Sequence, residues 1–245
     1  MAAGKVTQKN SWMPIFFQQD IDVNTRVAIW KIEEEESFFL QHVMPQRNVS
    51  HPHKKLQHLA GRYLLKHLFS DFPLALIQIA DTKKPYLEDE AFHFSISHCS
   101  DFAAAIVSRT RRVGVDVELT TDKVEKIKHK FLTEAELNIS SVAVAGAMDK
   151  RQSSDGVEIP KLTLLWSCKE AVYKWFGSGE VDFKEHIVVE SLTGVGIDLF
   201  RTSICFKKKE PIELSLSSTY FTLTPSASNI DAADEQRLVL SYVVT

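Results

Sequence analysis

Apolar residues recur at three- and four-residue spacing over residues 53–69, where Leu56, Leu59, Ala60, Tyr63, Leu64, Leu65 and Leu68 share one face and predict a helix. The remaining surface of that helix carries Lys54, Lys55, Arg62 and Lys66, and Asp71-Phe72-Pro73 ends it. Upstream, residues 12–32 mix apolar and polar positions and close on Val27-Ala28-Ile29-Trp30-Lys31-Ile32, which predicts a strand. The four carboxylates Glu33, Glu34, Glu35 and Glu36 follow it and suit the first turn of a helix. Downstream, residues 92–98 alternate, with Phe92, Phe94, Ile96 and His98 on one face. Residues 102–107 form a second strand-like run, residues 108–112 a polar turn, and residues 113–118 a third strand.

The second half partly echoes the first. Residues 123–138 and 161–177 have helical patterns, and residues 186–190, 195–206, 211–223 and 237–244 read as strands. Residues 149–156 between the helices are polar and rich in turn formers, which predicts a mobile loop. The expectation is an α+β chain of two similar α/β lobes, residues 1–110 and 111–245.

Composition narrows the class. The chain has 245 residues, 44% of them hydrophobic and 25% charged, enough for a sizeable core. A net charge of -3 argues against nucleic-acid binding by bulk charge. No apolar run reaches the roughly 18 residues of a membrane span, and residues 1–10 are polar, unlike a signal peptide. Cys99, Cys168 and Cys205 are odd in number and widely spaced, so neither a disulfide framework nor a zinc site is expected, and a cytoplasmic protein is.

The chemistry concentrates in a few places. On a strand, Asp116 and Glu118 of Gly114-Val115-Asp116-Val117-Glu118 point to one face while Val115 and Val117 point to the other. Two adjacent carboxylates raise each other's pKa unless a cation lies between them, and oxygen ligands of this type suit Mg2+ with a phosphate-bearing ligand. Two solvated acids on an edge strand fit the same motif. In Trp166-Ser167-Cys168-Lys169-Glu170-Ala171-Val172-Tyr173-Lys174, Glu170 and Lys174 stand four apart on one helix face. They form either a surface ion pair or a metal ligand beside a phosphate-binding lysine. Gly177 suits the C-terminal cap of that helix. His98, ending the strand Phe94-Ser95-Ile96-Ser97-His98, is either a core-edge histidine or a donor to phosphate, assisted by Ser97. Lys84, before the rigid Pro85, offers another cation, and Arg62, with Lys54 and Lys55, offers a basic helix face. His51, His53 and His58 lack the accompanying ligands of a metal site.

Taken in order, Lys84-Pro85, Phe94 to His98, Gly114 to Glu118, Phe131-Leu132-Thr133-Glu134 and Trp166 to Lys174 resemble the Sfp-type 4′-phosphopantetheinyl transferases over roughly residues 54–180. The resemblance implies two α/β lobes related by pseudo-two-fold symmetry, a monomer, and an active site in the cleft between the lobes. It implies transfer of the phosphopantetheine arm of coenzyme A to a serine of an apo acyl or peptidyl carrier protein, with release of 3′,5′-ADP. Asp116, Glu118 and Glu170 would then ligate Mg2+ or Mn2+, and Glu170 would take the serine proton. Lys174 and Lys84 would hold the pyrophosphate, Ser97 and His98 would hold coenzyme A, and Arg62 would contact the 3′-phosphate, with Lys54 and Lys55 as further candidates. Two features depart from the family pattern. Lys83 stands where the family often has Gly before Lys-Pro, and residues 139–160 exceed the usual connection. A metal-dependent phosphoesterase could use the same acids without a protein acceptor, and a non-catalytic coenzyme A or carrier-binding module would bind without turnover.

Overall fold

A computed structural model describes residues 15–45, 49–139, 158–223 and 236–245. The chain divides into two compact units, one ending at Val115 and including Thr245, the other Asp116–Val244. The turn-rich stretch at residues 149–156 lies outside the described residues, as does most of the long connection at 139–160. Among the described residues, no helix is long and apolar enough to cross a membrane.

The first unit contains β1 (Ile15–Asp22), β2 (Thr25–Lys31), α1 (Glu36–Leu40), α2 (Pro52–Leu68), β3 (Gln78–Ile79), β4 (Pro85–Tyr86), β5 (His93–Cys99) and β6 (Phe102–Ser108). Its main sheet has the order β1-β2-β6-β5, antiparallel throughout, and β3 and β4 form a small hairpin. Buried central strands read as continuous apolar runs, because both of their faces are covered. All seven residues of β6 are buried, as are Val27, Ala28, Ile29 and Trp30 of β2. Helix α2 begins at Pro52, whose missing N–H costs nothing in a first turn, and the His51 side chain accepts a bond from Lys54 N–H. Its apolar stripe packs with Ala28, Ala103, Ala105 and Phe94. Small residues bring helix and sheet close together. At Gly61 an added Cβ would lie 2.6 Å from the Ile96 Cγ2 methyl.

The second unit contains β7 (Val113–Leu119) from Asp116 onward, α3 (Lys123–Phe131), α4 (Glu134–Leu137), α5 (Ile159–Phe176), β8 (Ile187–Gly196), β9 (Leu199–Phe206), β10 (Ile212–Thr222) and β11 (Arg237–Val244). The sheet order is β7-β11-β10-β9-β8. At one end of the β7–β11 pair, Arg112 and Thr245 exchange backbone bonds of 3.1 and 3.0 Å, and at the other Thr120 N–H donates to the Arg237 carbonyl at 2.8 Å. Helix α5 packs chiefly on β11 and ends at Gly177, whose φ of 73° is the left-handed conformation glycine adopts without a Cβ clash. The two units share a connectivity. In each, a strand leads to a long helix, and the last strand returns to pair with the strand that precedes the helices: β6 with β2, and β11 with β7.

Two expected elements differ in detail. The helix expected at 123–138 is interrupted at Leu132, and a new helix starts at Thr133, where a capping box with Glu136 satisfies backbone donors that a continuous helix would use internally. The strand expected at 195–206 is the end of one strand and the whole of the next. β8 continues past a register shift between Val189 and Ser191 to Gly196, and the chain turns at Asp198, φ 56°, before β9.

The Gly61 contact generates a prediction about stability. Alanine is the better helix former by about 1 kcal/mol, but overpacking a stiff β-branched neighbour costs about 1–3 kcal/mol. Gly61→Ala should therefore lower the midpoint of urea unfolding. Ile96→Ala alone should also lower it, and the double variant should lose less than the two single losses added, because the methyl in the way is gone. Strict additivity would show that Gly61 and Ile96 do not restrict each other.

Candidate functional site

Strand β7 and helix α5 together place four charged side chains within the second unit. Val115 and Val117 are fully buried on one face of β7, and Asp116, only 1% exposed, lies on the other with the half-buried Glu118. The strand is at the edge of its sheet, but it does not leave these acids in water as a solvated edge strand would. Helix α5 supplies the rest. Lys174 Nζ donates to Asp116 Oδ1 at 2.5 Å and lies 4.0 Å from Glu170 Oε2, one helical turn away. Trp166 Nε1 donates to Glu118 Oε1 at 3.4 Å.

The electrostatics of this group follow from burial with too little positive charge. Desolvation, reinforced by the neighbouring Asp116, pushes the Glu118 pKa up to about 8, with Lys174 and the Trp166 bond acting in the opposite direction. Desolvation raises Glu170 to about 7 against the pull of Lys174, and Asp116 adds to the rise. For Lys174 itself, burial alone would lower the pKa, but attraction to Asp116 and Glu170 prevails and leaves it raised. Three carboxylates face one ammonium in a medium that screens poorly. An oxygen-only donor set of this charge fits a hard divalent cation such as Mg2+ or Mn2+, which would offset the negative charge that the single lysine leaves uncompensated.

The remaining expected residues belong to the first unit. Arg62 of α2 is 7% exposed, so it does not lie on the solvated basic face that the sequence pattern suggested. Lys55 instead pairs with Glu36 at 2.5 Å, and Lys54 is exposed. Lys84 follows the positive-φ residue Lys83, φ 65°, at the turn of the β3–β4 hairpin. Burial, then the nearby Arg112 charge, lowers its pKa to about 8. A half-buried lysine beside a second cation forms a place where an anion would be favoured. Ser97 is buried on β5 and His98 is exposed at the strand's end. Ser95, also buried, accepts the Val115 N–H at 3.2 Å.

Sequence patterns missed three participants. Trp166 reads as core filler, yet its N–H bonds a candidate ligand. Arg112 reads as part of a polar turn, yet its charge reaches Lys84. Lys169 is 0% exposed, and its ammonium donates to the carbonyls of Phe131 at 2.6 Å and Phe183 at 2.8 Å and pairs with Glu136 at 2.7 Å. One signal did point to Lys169: it follows Leu162, Leu165 and Trp166 at helical spacing, on the apolar side of α5.

Residues 112–217 match the family model described as the 4′-phosphopantetheinyl transferase superfamily. Enterobactin synthase component D of Salmonella austin is 34% identical over 151 residues, covering 60% of this chain and 58% of that protein. The protein of the same name from Salmonella typhi is 37% identical over 127 residues, 50% of this chain and 48% of its own length. That from Escherichia coli O157:H7 is 29% identical over 143 residues, 58% and 63% respectively. The chain thus spans from about half to somewhat under two thirds of the length of these curated relatives.

The buried carboxylates link stability to pH. In metal-free protein, burial holds the Glu118 pKa at about 8 and that of Glu170 at about 7, well above the ordinary glutamate value of 4.5. The folded state therefore binds more protons in this window, and metal-free stability should fall as pH rises from about 5 to about 8. Divalent cations need the ionised carboxylates, so the rise in melting temperature with saturating Mg2+ should be larger near pH 8 than near pH 5.5. Glu118→Gln should flatten the metal-free slope. Melting scans in a chelator and in Mg2+ across this range check both, and a metal increment independent of pH would contradict the assignment.

Proposed function

We propose that this chain, whose residues 112–217 match the model of the 4′-phosphopantetheinyl transferase superfamily, transfers the 4′-phosphopantetheine arm of coenzyme A to a serine of an apo carrier protein and releases 3′,5′-ADP. The observation that carries this reading is the pairing of Lys174 on α5 with Asp116 and Glu170, with Glu118 on β7 within electrostatic reach of it. In this reading Asp116, Glu118 and Glu170 hold the divalent ion. Bound there, that ion would neutralise charge on the pyrophosphate as it is split.

The chain's own groups do the rest. Glu170, with a pKa near neutrality, accepts the proton of the incoming serine hydroxyl. The serine oxygen forms a bond to the phosphorus of the phosphopantetheine arm, and the bond from that phosphorus to the bridging pyrophosphate oxygen breaks, leaving the electron pair on 3′,5′-ADP. Lys174 remains protonated at any ordinary pH and stabilises the charge developing on the phosphate oxygens. Lys84 contributes a second cation to the phosphates, His98 and Ser97 bind coenzyme A, and Arg62 binds its 3′-phosphate. The nucleophile belongs to the partner, so this chain needs no catalytic triad. Peptidyl, fatty-acid and polyketide carriers are the acceptors to test.

Incubating apo carriers with coenzyme A and Mg2+ should add the mass of one phosphopantetheine to the carrier, read by intact-protein mass spectrometry. Release of nucleotide without any carrier would favour a phosphoesterase, and binding without turnover, with Mn2+ as well as Mg2+, would favour a non-catalytic module. Asp116→Ala and Glu170→Ala should reduce transfer by at least a hundredfold while the circular dichroism spectrum is kept. Near-normal turnover of either would refute the metal assignment. Lys174→Ala should raise KM for coenzyme A and lower kcat, and unchanged kinetics would reduce that lysine to an ion-pair partner.

A further inference from the structure

Trp166 lies on α5 four residues before Glu170 and three before Lys169, between the site and a buried polar strut. Its indole ring is held on two sides. Phe131, the last residue of α3, meets it edge-on at a centroid distance of 5.0 Å, and Phe183, in the connection from α5 to β8, stacks on it at 5.5 Å with planes 20° apart. The Phe183 ring is backed in turn by Tyr173 at 5.6 Å. Neither phenylalanine is placed by ring packing alone. The backbone carbonyls of both accept bonds from Lys169 Nζ, at 2.6 and 2.8 Å. That ammonium is closed off from solvent and pairs with Glu136 at 2.7 Å. Glu136 is itself immobilised. It accepts from the Thr133 backbone N–H at 2.8 Å and from Val189 N–H at 2.9 Å.

We infer that Lys169, Phe131 and Phe183 form a clamp that aims the Trp166 N–H at Glu118, and that Trp166 is a positioning residue for that carboxylate in divalent-metal binding. The argument is geometric. A glutamate at the end of an edge strand has three side-chain torsions, and a bond to one of its oxygens removes most of that freedom. The donor must be rigid to do so. An indole fixed between two rings whose backbones are tied to one buried ammonium meets that condition, and a solvent-exposed donor would not. With Oε1 engaged by the indole, the carboxylate is oriented before any cation arrives. Outer partners of this kind commonly govern metal affinity by tenfold or more.

The inference rests on the metal-site reading above, and its test uses Mn2+ alone, with neither coenzyme A nor carrier. Free Mn2+ is followed by electron paramagnetic resonance as the full-length chain is titrated. Trp166→Phe keeps an aromatic ring in the clamp but lacks the N–H. It should weaken Mn2+ binding about tenfold while the metal-free melting temperature changes little. Phe183→Leu leaves the indole intact but removes its stacking partner, and it should also weaken binding several-fold. If Trp166→Phe proves unable to fold, Phe183→Leu decides the matter by the same readout. Wild-type Mn2+ affinity in the folded variants would overturn the inference and leave the clamp a packing feature. A wild-type chain that takes up no Mn2+ overturns the metal site and the inference together. A chain that binds Mn2+ through Trp166 but modifies no carrier upholds this inference and overturns the transferase reading alone.

Discussion

Holding one buried and two half-buried carboxylates beside one ammonium is the constraint on which the second unit turns. Lys174 bonds Asp116 at 2.5 Å, and Asp116 is almost wholly inside the protein. Ion pairs in such surroundings tolerate little displacement. Loss of one partner typically costs about 3–5 kcal/mol, because the other is left charged without water. The helix that carries Lys174 and Glu170 therefore has to lie on its sheet in one rotation and at one height.

Three consecutive residues of α5 supply that precision. Successive helical residues point about 100° apart, so Cys168, Lys169 and Glu170 leave the helix in three directions. Cys168 meets a buried hydroxyl group formed by Thr202, Ser218 and Ser241, at 3.5, 3.4 and 3.7 Å, from three neighbouring strands. Lys169 reaches Glu136 and the carbonyls of Phe131 and Phe183. Glu170 turns toward Lys174. Hydrophobic contact is non-directional and would allow α5 to rotate or slide. Polar contacts on three sides do not, and the cost of leaving any of them unsatisfied within a core makes one orientation strongly preferred.

The two units build different chemistry on the same connectivity. The first presents α2 with a buried Arg62 and the hairpin cation Lys84 close to Arg112. The second presents acids around a lysine. An anionic ligand suits the former set, and a divalent cation the latter.

Most of the fold was legible in the pattern along the chain. The strict spacing over 53–69 and the alternation over 92–98 mark α2 and β5 almost to the residue, because a helix or strand with one buried face repeats at its own period. The candidate carboxylates were equally legible, since i and i+2 on a strand and i and i+4 on a helix must share a face. Less was legible where local pattern competes with distant contacts. Nothing in 123–138 announced the break at Leu132, because the gain lies in Glu136 reaching Lys169 and Val189, more than thirty residues away in the chain. Likewise Arg62 reads as surface charge on a helical wheel, and only packing shows it to be buried. Residue order thus determined the elements and which acids could stand side by side. Whether those acids are wet or buried, and which indole and which lysine hold them, was decided by the tertiary structure, since desolvation and non-local hydrogen bonds exist only once the chain has packed.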